Sequence, residues 1–177
     1  VALRTGADPE QAAATVMELA QVYGSGAERA AATAASWAER VYSGTGLVIA
    51  GTNEQVQLLN GLIRDQLVAA ATIKTDRQVT TTPLSGRWES ETISAGDVVA
   101  TRVNAAGADG SRYANRERWR VRNIDADGGV RLVSLDGTRA VRLDAQAARQ
   151  HVQLAYAVTG YGAQGLTVDE AIQLVDE

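Results

Sequence analysis

The chain has 177 residues, 45% of them apolar, with 17 basic and 21 acidic side chains and a net charge of −4, enough for one domain with a small insertion and a real core. It holds no Cys and a single His, His151, which excludes a disulfide framework, a Cys-based or multi-histidine metal site, and a Ser–His or Cys–His nucleophile pair except with His151 itself. There is no run of 18 apolar residues and no basic-then-apolar leader pattern, so a soluble, cytoplasmic protein without a membrane segment is expected.

Phe is absent and Lys74 is the only lysine, a bias that reflects genomic base composition more than function. Asp8-Pro9-Glu10 is a helix start, with an N-cap carboxylate followed by Pro at the first helical position. It predicts a helix to about residue 23, ended by Gly24-Ser25-Gly26. A second helix is expected over 27–42, its apolar positions Ala30, Ala34, Trp37, Ala38 and Val41 recurring at helical spacing. Leu47-Val48-Ile49-Ala50 reads as a buried parallel strand. Thr52-Asn53-Glu54 then caps a third helix carrying Val56, Leu59, Ile63 and Leu67, so strand, glycine turn and capped helix form an α/β half-unit.

Residues 72–93 are polar and Thr-rich, with one strand expected around 78–81. From Gly96 the pattern changes to short alternating runs at 97–103, 118–124, 130–135 and 140–143, separated by Asp-Gly turns that mark hairpins. Four or five short strands in so short a stretch predict a small SH3-like β-barrel. Between Arg102 and Arg149 ten arginines face six acids, so a basic module sits on an acidic scaffold. Within it, Arg116-Glu117-Arg118-Trp119-Arg120-Val121-Arg122 has a period of two. Trp119 and Val121 are expected to face the core and Arg118, Arg120 and Arg122 the water, giving with Arg112 and Arg116 a basic face. That face is either a track for single-stranded nucleic acid, where neutralised phosphates release counterions, or an ordinary solvated strand surface.

The run 151–158 is expected to return to the buried sheet as one strand. It stops at Thr159, turns through Gly160, Gly162 and Gly165, and re-enters an apolar run at Ala171, Ile172, Leu174 and Val175. Glycines let the main chain approach a ligand closely. The tract Tyr156-Ala157-Val158-Thr159-Gly160-Tyr161-Gly162-Ala163-Gln164-Gly165-Leu166-Thr167 resembles motif V of superfamily 1 helicases, Thr-x-His-x-x-Gln-Gly-x-Thr. It is most like the RecD-like helicase half of MobF-type conjugative relaxases (TrwC/TraI-like). The resemblance extends less specifically to Ile49-Ala50-Gly51-Thr52-Asn53 with Leu58-Leu59-Asn60, and to Gly96-Asp97-Val98 and Tyr113-Ala114-Asn115-Arg116.

This resemblance implies an α/β fold: a partial RecA-like parallel sheet with helices (46–93 and 149–177), interrupted by an SH3-like β-barrel insertion (94–148) and preceded by a helical segment (1–45). It implies that Thr159, Gly160, Tyr161 and Gly162 meet single-stranded DNA together with Arg116, Arg118, Arg120 and Arg122, and that Gln164, Gly165 and Thr167 face a nucleotide. The implied partners are single-stranded DNA and the first motor domain of the same polypeptide; ATP and Mg would belong to the parent protein, with no cofactor in this piece. Tyr161 stands where the family usually has His, and Gly162 where it often has Lys or Arg. Tyr161 could still stack on a base.

No catalytic or metal-binding set is expected. There is no Gly-x-x-x-x-Gly-Lys-Ser/Thr loop around Lys74, no Asp-Glu pair after an apolar strand, and the arginine-bearing motif VI would fall beyond Glu177. The chain begins at Val1 and ends just after an apolar run, so a fragment of a longer polypeptide, inactive alone, is expected. His151 is read as structural or solvent-facing, and Trp37 and Trp88 as packing residues. The competing reading is a non-catalytic protein-interaction module derived from a relaxase-like helicase.

Overall fold

The computed structural model describes residues 26–83 and 89–174; the helix expected over 8–23, Trp88 and Val175 lie outside them. The fold is mixed α/β. Helix α1 (Gly26–Ser43) buries Ala30, Ala34, Ala38 and Val41 against α2 (Asn53–Ala69). Thr52 caps α2 in a reciprocal capping box with Gln55, and the helix buries Val56, Leu59, Asn60, Ile63 and Leu67. Between the helices runs β1 (Gly46–Ala50). A Cβ at Gly46 would lie 2.8 Å from Arg40 Cβ, so only glycine lets α1 come this close to the start of the strand.

The chain then leaves this unit for a long antiparallel excursion. Strands β2 (Lys74–Thr80) and β3 (Thr92–Ala95) pair with each other. Next come β4 (Val98–Thr101), β5 (Ala105–Ala106), β6 (Arg112–Tyr113), β7 (Arg118–Ile124), β8 (Val130–Ser134) and β9 (Ala140–Leu143). The short helix α3 (Ala145–Gln150), capped by Asp144, leads to β10 (Val152–Leu154). Strands β5 and β6 form a separate pair, and the order of the main sheet is β10-β4-β7-β8-β9. The Asp-Gly turns behave as their sequences require, with positive φ at Gly128 and Gly137.

Among the described residues this five-stranded sheet is open, and no barrel closes. Its edges are β9 and β10, joined through α3 rather than by hydrogen bonds. The main chain finally returns as β11 (Ala157–Thr159) and β12 (Glu170–Gln173), which flank β1 in parallel with Val48 opposite both Ala157 and Ile172. One apolar core runs through both halves, with Trp119, Tyr156, Leu59 and Ile63 among its fully buried side chains. No helix among the described residues is long and apolar enough to cross a membrane.

The run 151–158 is therefore not one strand. Val152–Leu154 pairs antiparallel with β4, whereas Ala157 onward pairs parallel with β1. Ala155 and Tyr156 form the corner between two sheets and are as buried as the strands they join, so hydrophobicity alone gives no sign of the break. Polar side chains hold the corner. Asn60 of α2 donates to the Leu154 carbonyl (3.2 Å) and accepts from the Ala157 amide (2.8 Å). The Tyr156 hydroxyl donates to Asp97 Oδ1 (2.5 Å), whose other oxygen accepts from the Ser94 amide (2.6 Å) and from Arg64 Nε (3.1 Å).

Glu91 is the third polar support, its Oε2 accepting from the Leu154 amide at 2.8 Å. Burial pushes its carboxyl from 4.5 up to about 7, against the opposing pull of the Leu154 amide and of Arg102. A folded pKa raised above the unfolded one means that the native state holds the proton more tightly, so this contribution is complete below about 4.5 and is lost as pH rises to about 7. Stability measured by denaturant titration is expected to fall by on the order of 2–3 kcal/mol across that window because of Glu91. Glu91→Gln keeps an acceptor for Leu154 and is expected to flatten this part of the profile. An unchanged slope in E91Q would exclude Glu91 as its source.

Candidate nucleic-acid interface

The bend that follows β11 is open to solvent. Tyr161 is 65% exposed, Gly160, Gln164, Gly165 and Thr167 are exposed, and Thr159 and Gly162 are half-buried. Its shape is set internally. Thr159 accepts from the Gly162 amide through its hydroxyl (3.1 Å) and from the Ala163 amide through its carbonyl (2.9 Å). Gly165 takes φ +84°, which a side chain would strain. The return into β12 is fixed where the Thr45 carbonyl accepts from the amides of Asp169 and Glu170, both at 3.1 Å. Both flanking strands, β11 and β12, are edges of the parallel sheet, so the bend projects from an open sheet end. The side chains of Gln164 and Thr167 form no hydrogen bond with another described residue.

The turn that leads into β7 approaches this bend. The Arg116 guanidinium lies 4.3 Å from the centre of the Tyr161 ring. Arg116 holds a left-handed backbone, φ +67°, uncommon for a residue with a side chain and most informative where it serves a site. The Arg116 amide bonds the Thr101 carbonyl (2.6 Å) and the preceding Asn115 amide bonds Asn104 Oδ1 (2.8 Å). These contacts hold the turn that delivers Arg116 to the ring.

The expectation that Arg118 and Arg120 point into water does not hold. The alternation is as read, with Trp119 and Val121 buried, but the arginine face is covered by the α/β half of the molecule. Arg120 stacks on Tyr42 at the end of α1 (4.0 Å to the ring centre) and donates from Nη2 to the Tyr42 carbonyl at 2.5 Å. Arg118, between the two stacked arginines, is half-buried, and its Nε and Nη2 are shut off from solvent without a hydrogen-bond partner. Burial, with the Arg120 charge adding to it, lowers its guanidinium to about 10; it is still a cation at neutral pH. Arg122 is exposed, at the irregularity in the β7–β8 register between Val121 and Asn123.

The structure thus brings Arg116 to Tyr161, places Arg120 on a different neighbour, Tyr42, and leaves Arg122 exposed. Sequence reasoning missed Tyr42 because nothing in a helical pattern says which strand the last turn will meet. It also missed Asn60, for which there was a signal: a polar residue on the apolar stripe Val56, Leu59, Ile63. His151 is half-buried, its Nδ1 hydrogen-bonded to the Tyr113 hydroxyl at 2.7 Å. Among the described residues no cluster of His, Asp or Glu could hold a metal ion.

What the arrangement offers chemically is a cation stacked on an exposed ring and a glycine-rich main chain. These suit the phosphates and flat bases of a single strand better than a reacting substrate. No protein-family model matches the chain, and no curated protein matches it.

Proposed function

We propose that the chain is part of the second motor domain of a RecD-like superfamily 1 DNA helicase, of the kind found in MobF-type conjugative relaxases, and that it grips single-stranded DNA without catalysing anything alone. In this reading the strands around β1 belong to a RecA-like sheet and the antiparallel excursion is its SH3-like insertion. The observation that carries the proposal is the Arg116–Tyr161 stack. The family usually supplies an imidazole and a cation from motif V itself; here the bend has Tyr161 and Gly162, and the cation reaches the ring from the insertion. A base stacked against Tyr161, with its phosphate toward Arg116, would use both groups.

In the parent, Gln164, Gly165 and Thr167 would form one wall of the ATP cleft. An amide, a glycine and a hydroxyl do not by themselves hold a triphosphate or magnesium, so most of that site would belong to the first motor domain.

The test is binding of fluorescently labelled oligo-dT to the chain as a function of salt. Affinity is expected to fall steeply with salt, and Tyr161→Ala to weaken binding roughly tenfold, the loss of one base–aromatic stack. Arg116→Ala is expected to weaken it and to flatten the salt dependence. Both side chains are exposed, so neither change should disturb folding. Absence of DNA binding, together with salt-insensitive capture of a protein, would favour the interaction-module reading instead.

A further inference from the structure

A cavity of about 490 Å³ opens where the end of α1, the β2–β3 hairpin and the β7–β8 hairpin meet. That volume lies in the range of small-ligand sites. Three cations line it: Lys74 from the start of β2, and Arg120 and Arg122 from β7. None of the twelve described residues that line it is acidic. Lys74 and Arg122 take part in no ion pair among the described residues, whereas Arg139 and Arg142 of the same sheet are tied to Glu117 and to Asp125 and Asp127. Asp136 of the adjoining turn does not line the cavity; its Oδ1 accepts from the Ser134 and Thr138 hydroxyls and the Thr138 amide, which hold it down at about 2, so it stands as one carboxylate near three cations.

In a chain of net charge −4, a concavity walled by three cations and no carboxylate focuses positive potential. Arg120 is already fixed by the Tyr42 ring and carbonyl, so little ordering remains to be done when an anion arrives. Beside the cations the wall is apolar, with Leu135 and with Val133, the cross-strand neighbour of Arg120. Cations and aliphatic side chains next to one another match a ligand that is part phosphate and part ring.

We propose that this cavity binds a nucleotide-sized phosphate ester, its phosphate held by Lys74 and Arg122 and its organic part lying on Val133 and Leu135. The phosphate could arrive on a free nucleotide or as one link of a strand; the recognising chemistry is the same. The inference does not require the motor reading.

Lys74 is the only lysine of the chain, so its acylation by an N-hydroxysuccinimide ester, followed by peptide mass spectrometry, reads this site alone, with the N-terminal amine as internal reference. Saturating thymidine monophosphate is expected to slow Lys74 acylation roughly tenfold, the factor supplied by one charge-assisted hydrogen bond. Arg122→Gln should abolish the protection, and so should Leu135→Glu, which places a carboxylate in the cavity by an independent route. Protection by oligo-dT but not by the mononucleotide, again lost in R122Q, would assign the site to a strand backbone. Protection by neither probe, or protection that survives both substitutions, overturns the proposal. Loss of strand binding at Tyr161 leaves the mononucleotide readout untouched, so the two readings fail separately.

Discussion

Asp97→Ala is expected to lower the free energy of unfolding by about 3–5 kcal/mol, the usual cost of removing one partner from a buried ion pair. The Asp97 side chain is fully buried and Arg64 nearly so. Burial pushes the Asp97 carboxyl upward, while the Tyr156 hydroxyl, the Arg64 guanidinium and the Ser94 amide all favour its charged form. Those three donors need three acceptor sites, which the two oxygens of the ionised carboxylate supply. Alanine would strand a guanidinium, a phenol and an amide together inside the protein, although Arg64 would keep its bond to Ser94 Oγ (2.7 Å). Such a loss is a large part of the roughly 5–15 kcal/mol that a domain has in total. Urea unfolding of the variant measures it directly. Asp97→Asn, which retains one acceptor, should fall between the two. If D97A loses less than about 0.5 kcal/mol, within the range of an ordinary surface change, the network does not lock the corner.

Much of this architecture was legible because local chemistry dictates it. Asp127-Gly128-Gly129 and Asp136-Gly137 require hairpins wherever the sheet sits, and the Thr52 cap starts α2 whatever α2 packs on. The strands at 118–124 and 140–143 fall where the alternation puts them. The failures share one physical origin: a pattern says which residues occupy the same face, not what lies over that face. Arg118 and Arg120 sit on the predicted side of β7, yet Tyr42, separated from Arg120 by 78 positions, covers it. The corner at Ala155 and Tyr156 was invisible for the complementary reason. A continuous apolar run is compatible with one buried strand or with two that part company inside the core.

The bend itself was the most legible part of the candidate site. Glycine spacing predicted a turn of main chain between two apolar runs, and the bend between β11 and β12 is such a turn. The Arg116–Tyr161 stack was not legible, since it joins two segments 45 positions apart that belong to different sheets. The crossing of the chain at 155–156 is where one of those sheets leads directly into the other. The position of the bend therefore depends on the same polar clamp that holds the corner.

Asn60→Ala tests that dependence. Asn60 is fully buried, and its amide satisfies the Leu154 carbonyl at the end of β10 and the Ala157 amide at the start of β11. Truncation leaves both main-chain groups unpaired, at about 1–3 kcal/mol for each, so a total loss of about 2–4 kcal/mol is expected after local relaxation. Asn60→Leu would keep the volume and still lose both bonds, which separates the hydrogen-bond contribution from packing; similar losses in the two variants are expected. Hydrogen exchange adds a local readout. The Ala157 amide should lose protection beyond what the global destabilisation explains, while amides of β8, far from the corner, should follow the global value. Because β11 runs directly into the bend, loosening at Ala157 should also free Tyr161 from Arg116, seen as sharper ring signals for Tyr161. Near-native stability of N60A with a protected Ala157 amide would instead assign the corner to Asp97, Glu91 and apolar packing, and would uncouple the bend from α2.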